Sequence, residues 1–175
     1  MWFFGRRAVG RGSQRLATTR ELLGRFRIDD SIVCIGCRYS LRGLGVDGRC
    51  PECGRHVMGS TVHYLEERTG YSVDAFLFLL DAMRPGPAMP PKPRVHVDAR
   101  GLLWAVGDRA VEQAGSVEEG RRLLAEWGVM RSEDVGAMVY SMVAVGLVGT
   151  TERDSPEDFD GVREGHAVFE GVGGQ

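Results

Sequence analysis

Apolar residues recur at helical spacing through most of the second half of the chain. After Ser72 they repeat every three or four residues, which predicts a helix over about 72–83. The same spacing after Asp98, with Gly115 as a stop signal, predicts a second helix over 98–114. The apolar stripes are Val73, Phe76, Leu77, Leu80 and Met83 in the first helix, and Leu102, Leu103, Val106, Ala110 and Val111 in the second.

Two more helices are predicted after these, each with a polar start and a glycine after its end. The third begins at the capping-box sequence 116–119 and ends at Gly128. The fourth begins at Ser132, has acidic residues in its first turn and ends at Gly146. A serine and proline at 155–156 predict one further helical turn. The sequence thus predicts a mainly α fold with a small four-helix domain over 71–170.

The third and fourth helices, with the turn at 128–131, have the size of a helix-turn-helix pair. Residues 146–159 could serve as a wing, which makes a winged-helix-like domain one interpretation. A recognition helix must lie against phosphate and therefore carries Arg or Lys. The predicted fourth helix has no basic residue from 132 to 146. DNA reading through this helix is therefore disfavoured, and the pair is better interpreted as a packing or protein-binding scaffold.

Three segments lack a strong helical pattern. Residues 1–30 are rich in arginine with scattered glycine and serine, and are expected to form a flexible arm. Residues 58–70 are interpreted as a linker between the cysteine-containing region and the helical domain. Five of the seven prolines lie within 85–93, which predicts an extended surface connector.

The four cysteines form two C-x-x-C pairs, Cys34 with Cys37 and Cys50 with Cys53, separated by twelve residues. Each pair can place two sulfurs on one metal ion because the chain turns tightly after its first cysteine. Two such turns complete a tetrahedron around Zn²⁺. The spacing therefore predicts a zinc ribbon over 31–57 with one zinc ion per chain.

The predicted zinc is structural because four thiolates leave no open coordination position. His56 is a conceivable ligand, but we expect it to lie outside the metal sphere. Iron in a rubredoxin-like site stays an alternative, since thiolates alone do not choose between the two metals. A thioredoxin-like redox motif is disfavoured because two pairs occur with no adjoining helical pattern. Disulfides are disfavoured because the apolar stretch at 1–4 is too short for a signal peptide.

Positive charge is concentrated in the first third of the chain. Residues 1–55 contain 11 arginines and 5 acidic residues, whereas residues 56–175 contain 11 basic and 19 acidic residues. A basic segment joined to an acidic domain suggests a polyanionic partner or self-docking. A nucleic acid or another partner would contact the arm and the arginines of the ribbon. These arginines are Arg38, Arg42, Arg49 and Arg55.

The sequence gives little support to an enzyme. It lacks a P-loop, a dinucleotide-binding fingerprint and a nucleophile elbow. His96 is the best candidate for acid-base chemistry, with Asp98 or Asp154 as its carboxylate. Local packing or capping is the more common role of such a histidine, so an unrecognised hydrolase ranks third among the functions considered. No apolar run reaches the roughly 20 residues of a membrane span, and a soluble cytoplasmic protein is expected.

The sequence at 37–44 and 48–54 resembles a short zinc ribbon written C-x-x-C-G-Y-D-L-R-G-L…C-P-E-C-G, which is common in planctomycete proteins of many architectures. Two residues depart from this pattern, because Arg38 replaces a glycine and Ser40 replaces an aspartate. Glycine relieves a left-handed backbone conformation, so Arg38 is expected to strain the first knuckle, the turn that carries the first C-x-x-C pair.

Residues 64–170 resemble an uncharacterised protein family found mainly in the bacterial phyla Planctomycetes and Verrucomicrobia. The resemblance supports the boundaries of the domain but implies no known activity. It is carried by His96-Val97, Leu102-Leu103, Glu112-Gln113-x-Gly115, Glu126-Trp127-Gly128-Val129, Ser132-Glu133-Asp134, Gly146-Leu147 and Asp154-Ser155-x-Glu157-Asp158-Phe159.

These patterns predict a non-enzymatic adaptor or regulatory binding protein. A structural zinc ribbon on a basic arm would be joined to an acidic helical domain, and the partner would be a macromolecule, a protein rather than a nucleic acid. The alternative is a nucleic-acid-binding regulator that uses the arm and the ribbon.

Overall fold

The computed structural model describes residues 32–83, 98–162 and 166–169. Within these ranges the protein has five α-helices and no β-strand, apart from two isolated bridges in the cysteine-containing region. The helices are α1, Val57–Thr69; α2, Val73–Ala82; α3, Ala99–Ala114; α4, Val117–Glu126; and α5, Ser132–Ala144. Two short 3-10 helices follow, Pro156–Phe159 and Ala167–Phe169. The arm at 1–30 and the connector at 85–93 lie outside the described residues.

Helices α2, α3 and α4 begin where their capping residues predict. The side chains of Ser72, Asp98 and Ser116 each accept a hydrogen bond from the backbone N–H three residues later, at 3.1, 2.7 and 3.2 Å. Each bond satisfies one of the N–H groups that a helix start leaves without a helical partner. Helix α5 begins at Ser132, as expected. The prediction of a mainly helical fold is therefore confirmed.

Most residues of the predicted apolar stripes converge on one helical core, but Leu77, predicted in the stripe of α2, is 44% exposed. Phe76 of α2, Leu103 of α3 and Met142 of α5 have no exposed surface, and Met138 is almost completely buried. Burial of each such side chain contributes roughly 1.5–3 kcal/mol to folding.

No helix in the described ranges combines the length and the apolar content that crossing a membrane requires.

The segment 58–70, interpreted above as a linker, is instead helical and forms most of α1. This helix serves two cores. Val57 packs into the small core of the ribbon, whereas Val62 and Leu65 are buried in the helical core. Because its apolar residues are divided between two cores and Ser60 is buried among them, α1 shows no single apolar stripe in the sequence. The ribbon core consists of Cys34, Leu41, Cys50 and Val57.

The start of α5 is held by a buried carboxylate. Asp134 Oδ2 accepts hydrogen bonds from the backbone N–H groups of Met130 and Arg131, both at 2.8 Å. Its Oδ1 accepts from the hydroxyl of Tyr71 at 3.0 Å, which joins α5 to the segment before α2. Burial, followed by the charge of Asp134, raises the pKa of Tyr71 far above its usual range. Tyr71 therefore stays protonated and acts as a donor.

The segment proposed as a wing contains turns and a 3-10 helix. Residues 146–159 form no strand in the structure. The hydroxyl of Ser155 caps the 3-10 helix by accepting from the N–H of Glu157 at 3.2 Å, which confirms the single helical turn predicted there. The winged-helix interpretation stays a prediction without support from this segment.

Candidate metal centre

The four cysteine sulfurs converge on one point. The Sγ atoms of Cys34 and Cys53 lie 3.4 Å apart, and those of Cys37 and Cys50 lie 3.5 Å apart. All four Sγ atoms lie within 4.8 Å of one another, and none is in a disulfide. Sulfurs arranged as a tetrahedron about 2.3 Å from a central ion would be about 3.8 Å apart. The cluster therefore has the size and the chemistry to hold one metal ion.

Two knuckles of the same construction bring the sulfurs together. In the first, the N–H of Arg38 donates to the carbonyl of Cys34 at 2.9 Å, and in the second the N–H of Gly54 donates to the carbonyl of Cys50 at 2.9 Å. The N–H of each first cysteine donates to the carbonyl five residues later, at 2.8 and 2.7 Å. These backbone bonds fix the direction of each C-x-x-C pair without help from a regular strand.

The residue after the second cysteine of each pair adopts a left-handed conformation. Gly54 has φ +73°, and Arg38, at the corresponding position of the first knuckle, has φ +65°. Arg38 is the one non-glycine residue with positive φ in the described part of the chain. The expectation that Arg38 occupies a position suited to glycine is therefore confirmed.

Replacing Arg38 with glycine is expected to tighten metal binding. A left-handed conformation costs an ordinary residue about 1–2 kcal/mol, and glycine adds about 0.5–1 kcal/mol of chain entropy in the unfolded state. The net gain of about 0.5–1 kcal/mol corresponds to a two- to fivefold higher affinity for Zn²⁺, because the knuckle folds around the ion. Competition with a chromophoric chelator measures this change.

Arg42→Gly is the matched control, because Arg42 is also exposed in the ribbon but does not have positive φ. We expect this variant to bind metal equally well or more weakly. Equal loss of affinity in both glycine variants would contradict the assignment of backbone strain to Arg38.

Three of the four cysteines have pKa values that depart from that of an ordinary thiol. The N–H groups of Cys37 and of the residue before it donate to the sulfur of Cys34 and lower the pKa of Cys34 to about 6. The N–H of Tyr39 lowers the pKa of Cys37, but local desolvation of its sulfur and the neighbouring thiols outweigh this effect and raise that pKa to about 12. At Cys53 the N–H of Arg55 is likewise outweighed, chiefly by the thiol of Cys34, and the pKa is raised. The thiolate of Cys34 therefore forms easily, whereas those of Cys37 and Cys53 are disfavoured until a dication balances their charge.

The four ribbon arginines are all exposed, but two of them stabilise the ribbon itself. The guanidinium of Arg49 donates to the carbonyl of Gly54 at 3.0 Å, across the second knuckle. The side chain of Arg55 lies against Gly36 of the first knuckle, where any Cβ would overlap it. These two arginines therefore contribute to the fold of the ribbon. Arg38 and Arg42 complete the set of exposed ribbon arginines.

Two hydrogen bonds join helix α1 to the ribbon, which the linker interpretation missed. The N–H of Ile35 donates to Ser60 Oγ at 3.3 Å, and the N–H of Val57 donates to the carbonyl of Gly48 at 3.0 Å. The only sequence signal for this contact is the spacing of Val57 and Ser60, three residues apart and on one side of a helix.

The described histidines lie outside the cysteine cluster. His56 precedes α1, and the metal-binding group that the described residues form contains the four cysteines alone. His63 Nδ1 lies 3.1 Å from Glu66 Oε2. His166 is buried against α3, with Nε2 3.3 Å from Asp108 Oδ1. The expectation that His56 is not a ligand agrees with this arrangement.

His96 lies outside the described residues, and both carboxylates suggested as its partners have local roles. Asp98 caps α3. Asp154 Oδ2 accepts from the N–H of Thr151 at 2.6 Å and from its hydroxyl at 2.9 Å, which closes a turn. The acid-base role of His96 stays a prediction.

A small apolar cavity, partly open to the surface, lies at the helical core. Its volume of about 10 Å³ is near the minimum for one water molecule. A cavity of this size is a packing defect and not a substrate site. Its lining residues are Ala75, Leu79, Val106, Leu124, Trp127, Val129, Val135 and Met138.

The fold and the site define a mainly helical protein with a four-cysteine cluster that could form a zinc-ribbon-like site. No family model, no curated protein and no solved structure matches the chain. The resemblance of residues 64–170 to a family of Planctomycetes and Verrucomicrobia is therefore not supported by these comparisons and stays a prediction.

Proposed function

We propose that this protein is a non-enzymatic adaptor or regulatory binding protein, whose zinc ribbon is structural and whose partner is another protein. The zinc would be held by Cys34, Cys37, Cys50 and Cys53. Four thiolates occupy all positions of a tetrahedral ion, so the ion would stabilise the fold and would not activate a substrate.

The exposed apolar side chains of the ribbon support the proposal of a protein partner. Seven large apolar side chains are exposed among the described residues, and three of the seven lie in the ribbon. The ribbon, at 32–57, has 26 residues, which is only about a fifth of the described residues. Ile35, Tyr39 and Leu44 are 49%, 41% and 37% exposed. Aromatic residues and arginine are enriched at protein interfaces, and Arg38 and Arg42 lie in the same short module. This concentration supports the ribbon as the binding surface.

A capture experiment with the full chain tests the proposal. Tagged wild-type protein is cross-linked in native lysate and compared with the double variant Ile35→Ser, Tyr39→Ser. Loss of central interface side chains costs about 2 kcal/mol or more, so a genuine partner should fall roughly thirtyfold in the variant. Quantitative mass spectrometry measures the recovered proteins.

Leu77→Ser is the control, because Leu77 is 44% exposed on α2, outside the ribbon. A partner that binds the ribbon should be retained by this variant. Recovery of the same proteins by wild type and by the double variant would count against the ribbon as the binding surface.

A nucleic-acid-binding regulator is the second candidate, and the exposed Arg38 and Arg42 favour it. Mixed RNA or DNA should then bind at low salt, weaken steeply as salt rises, and no longer bind after residues 1–55 are deleted. Arg38→Ala with Arg42→Ala should reduce the affinity for all sequences to a similar extent. No retention of nucleic acid at low salt would exclude this candidate.

A further inference from the structure

In each knuckle one cysteine residue is buried and the other is exposed. Cys34 and Cys50, the first cysteine of each pair, are buried, whereas Cys37 and Cys53 are exposed. The sulfur of each exposed cysteine lies close to the sulfur of a buried cysteine in the opposite knuckle, at 3.4 Å for Cys53 with Cys34 and at 3.5 Å for Cys37 with Cys50. We therefore expect an oxidant from solvent to react first with the exposed cysteine of each crossed pair, and the buried cysteine is close enough to react next.

We propose that the cluster is a peroxide-responsive switch that closes into two crossed disulfides, Cys34–Cys53 and Cys37–Cys50, and releases its metal ion. This inference rests on the proposed metal binding. The sulfurs of each pair need to approach by about 1.4 Å to reach the S–S bond length of about 2.0 Å. The cysteines belong to short turns without regular strands, so we expect the displacement to be confined to the knuckles.

The chemistry balances with hydrogen peroxide as the oxidant. The exposed thiolate of Cys53 attacks peroxide, an S–O bond forms, the O–O bond breaks and hydroxide leaves. The thiolate of Cys34 then attacks the sulfur of Cys53, an S–S bond forms and a second hydroxide leaves. Two electrons pass from the sulfurs to one peroxide. A second peroxide oxidises Cys37 and Cys50 in the same way, so two peroxides convert four thiolates into two disulfides and four hydroxides.

Oxidation would change the proposed binding surface. Ile35 lies inside the first knuckle, and its N–H donates to Ser60 of α1. Tyr39 follows the same knuckle, and its carbonyl accepts from the N–H of Cys34. Displacement of Cys34 toward Cys53 therefore moves the backbone that presents both exposed side chains. The reduced, metal-bound ribbon would bind its partner and the oxidised ribbon would not.

The test uses the full chain, purified anaerobically and loaded with Zn²⁺. Two equivalents of hydrogen peroxide per chain should release the bound zinc, followed with a colorimetric chelator. Disulfides are then mapped without reduction. Trypsin cleavage after Arg38 and Arg49 places each C-x-x-C pair on its own peptide. Crossed pairing should link the two peptides, whereas pairing within each C-x-x-C would leave them separate.

The crossed pairs are then assigned individually. Cleavage after Glu52 separates Cys50 from Cys53, and fragmentation between Cys34 and Cys37 shows which fragment each one holds. The expected fragments carry Cys53 on Cys34 and Cys50 on Cys37. Chain oxidised in concentrated guanidinium is the control, and it should give mixed pairings because the fold no longer selects the partners.

The other possible outcomes each contradict a specific part of the proposal. Separate peptides, or the pairs Cys34–Cys50 and Cys37–Cys53, would overturn the crossed pairing. Zinc that stays bound through a tenfold excess of peroxide would overturn the switch. A chain that takes up no zinc would overturn the proposed zinc site and the release of metal, whereas the crossed pairing would still be tested by mapping its four thiols.

Discussion

Replacing Asp134 with alanine is expected to lower the free energy of unfolding by about 3 kcal/mol. The substitution removes the acceptor for two backbone N–H groups at the start of α5, which costs about 1 kcal/mol as a lost cap. It also leaves the hydroxyl of Tyr71 without its acceptor in a site that is 1% exposed, which costs about 1–3 kcal/mol. Urea denaturation followed by circular dichroism measures the change.

Matched variants separate the two contributions. Asp74→Ala removes the same charge from the first turn of α2, where Asp74 is exposed, and should cost less than about 1 kcal/mol. Tyr71→Phe removes only the buried hydroxyl and should cost about 1 kcal/mol, because the apolar ring stays in place. Asp134→Asn keeps one acceptor oxygen, so its loss in the free energy of unfolding should lie between those of Tyr71→Phe and Asp134→Ala. Equal effects of Asp134→Ala and Asp74→Ala would show that the carboxylate does not stabilise α5.

The helix starts could be predicted from sequence because capping is local. Ser72, Asp98 and Ser116 each bond to a backbone group three residues away, so the signal and its effect lie within one turn of helix. Asp134 shows the limit of this reasoning. Its position in the first turn of a helix is visible in the sequence, but its bond to Tyr71, 63 residues earlier, depends on how the segments pack.

Helix α1 could not be recognised from the sequence because its buried residues pack into two separate cores. Val57 is buried in the ribbon core, while Val62 and Leu65 are buried in the helical core. Thr61 is 1% exposed and its hydroxyl donates to the carbonyl of Val57 at 3.0 Å, so a polar residue occupies an interior position. A search for one apolar stripe fails on such a helix. The sequence pattern therefore indicates a linker, although the segment is a helix that contributes buried residues to both cores.

The metal site was predicted more fully than the helices around it. The cysteine spacing predicted the cluster, and the departure from glycine at Arg38 predicted a left-handed residue there, which the φ of +65° confirms. The spacing did not reveal that Cys34 and Cys50 are the buried cysteines. It also did not reveal that Arg49 and Arg55 contact the knuckles, because side-chain direction in a turn depends on contacts that the pattern does not encode.

Removing Cys50 is expected to unfold the ribbon and leave the helical core intact. In Cys50→Ser the cluster loses a buried thiolate, and zinc binding, worth about 10–16 kcal/mol in zinc-finger peptides, is lost or strongly weakened. Metal analysis should change from one zinc per chain to much less than one. Hydrogen exchange followed by mass spectrometry should show loss of protection across residues 32–57.

Because Val57 and Ser60 contact the ribbon, the first turn of α1 should also lose protection, whereas the turn that contains Val62 and Leu65 should keep it. Treatment of wild type with a strong chelator should give the same exchange pattern, since both changes remove the metal. Asp47→Asn is the control, because Asp47 is exposed in the ribbon and lies outside the cluster. A ribbon that stays protected after chelation would show that its small apolar core holds it without metal. Loss of protection throughout α2 to α5 would show instead that α1 transmits the unfolding of the ribbon to the helical core.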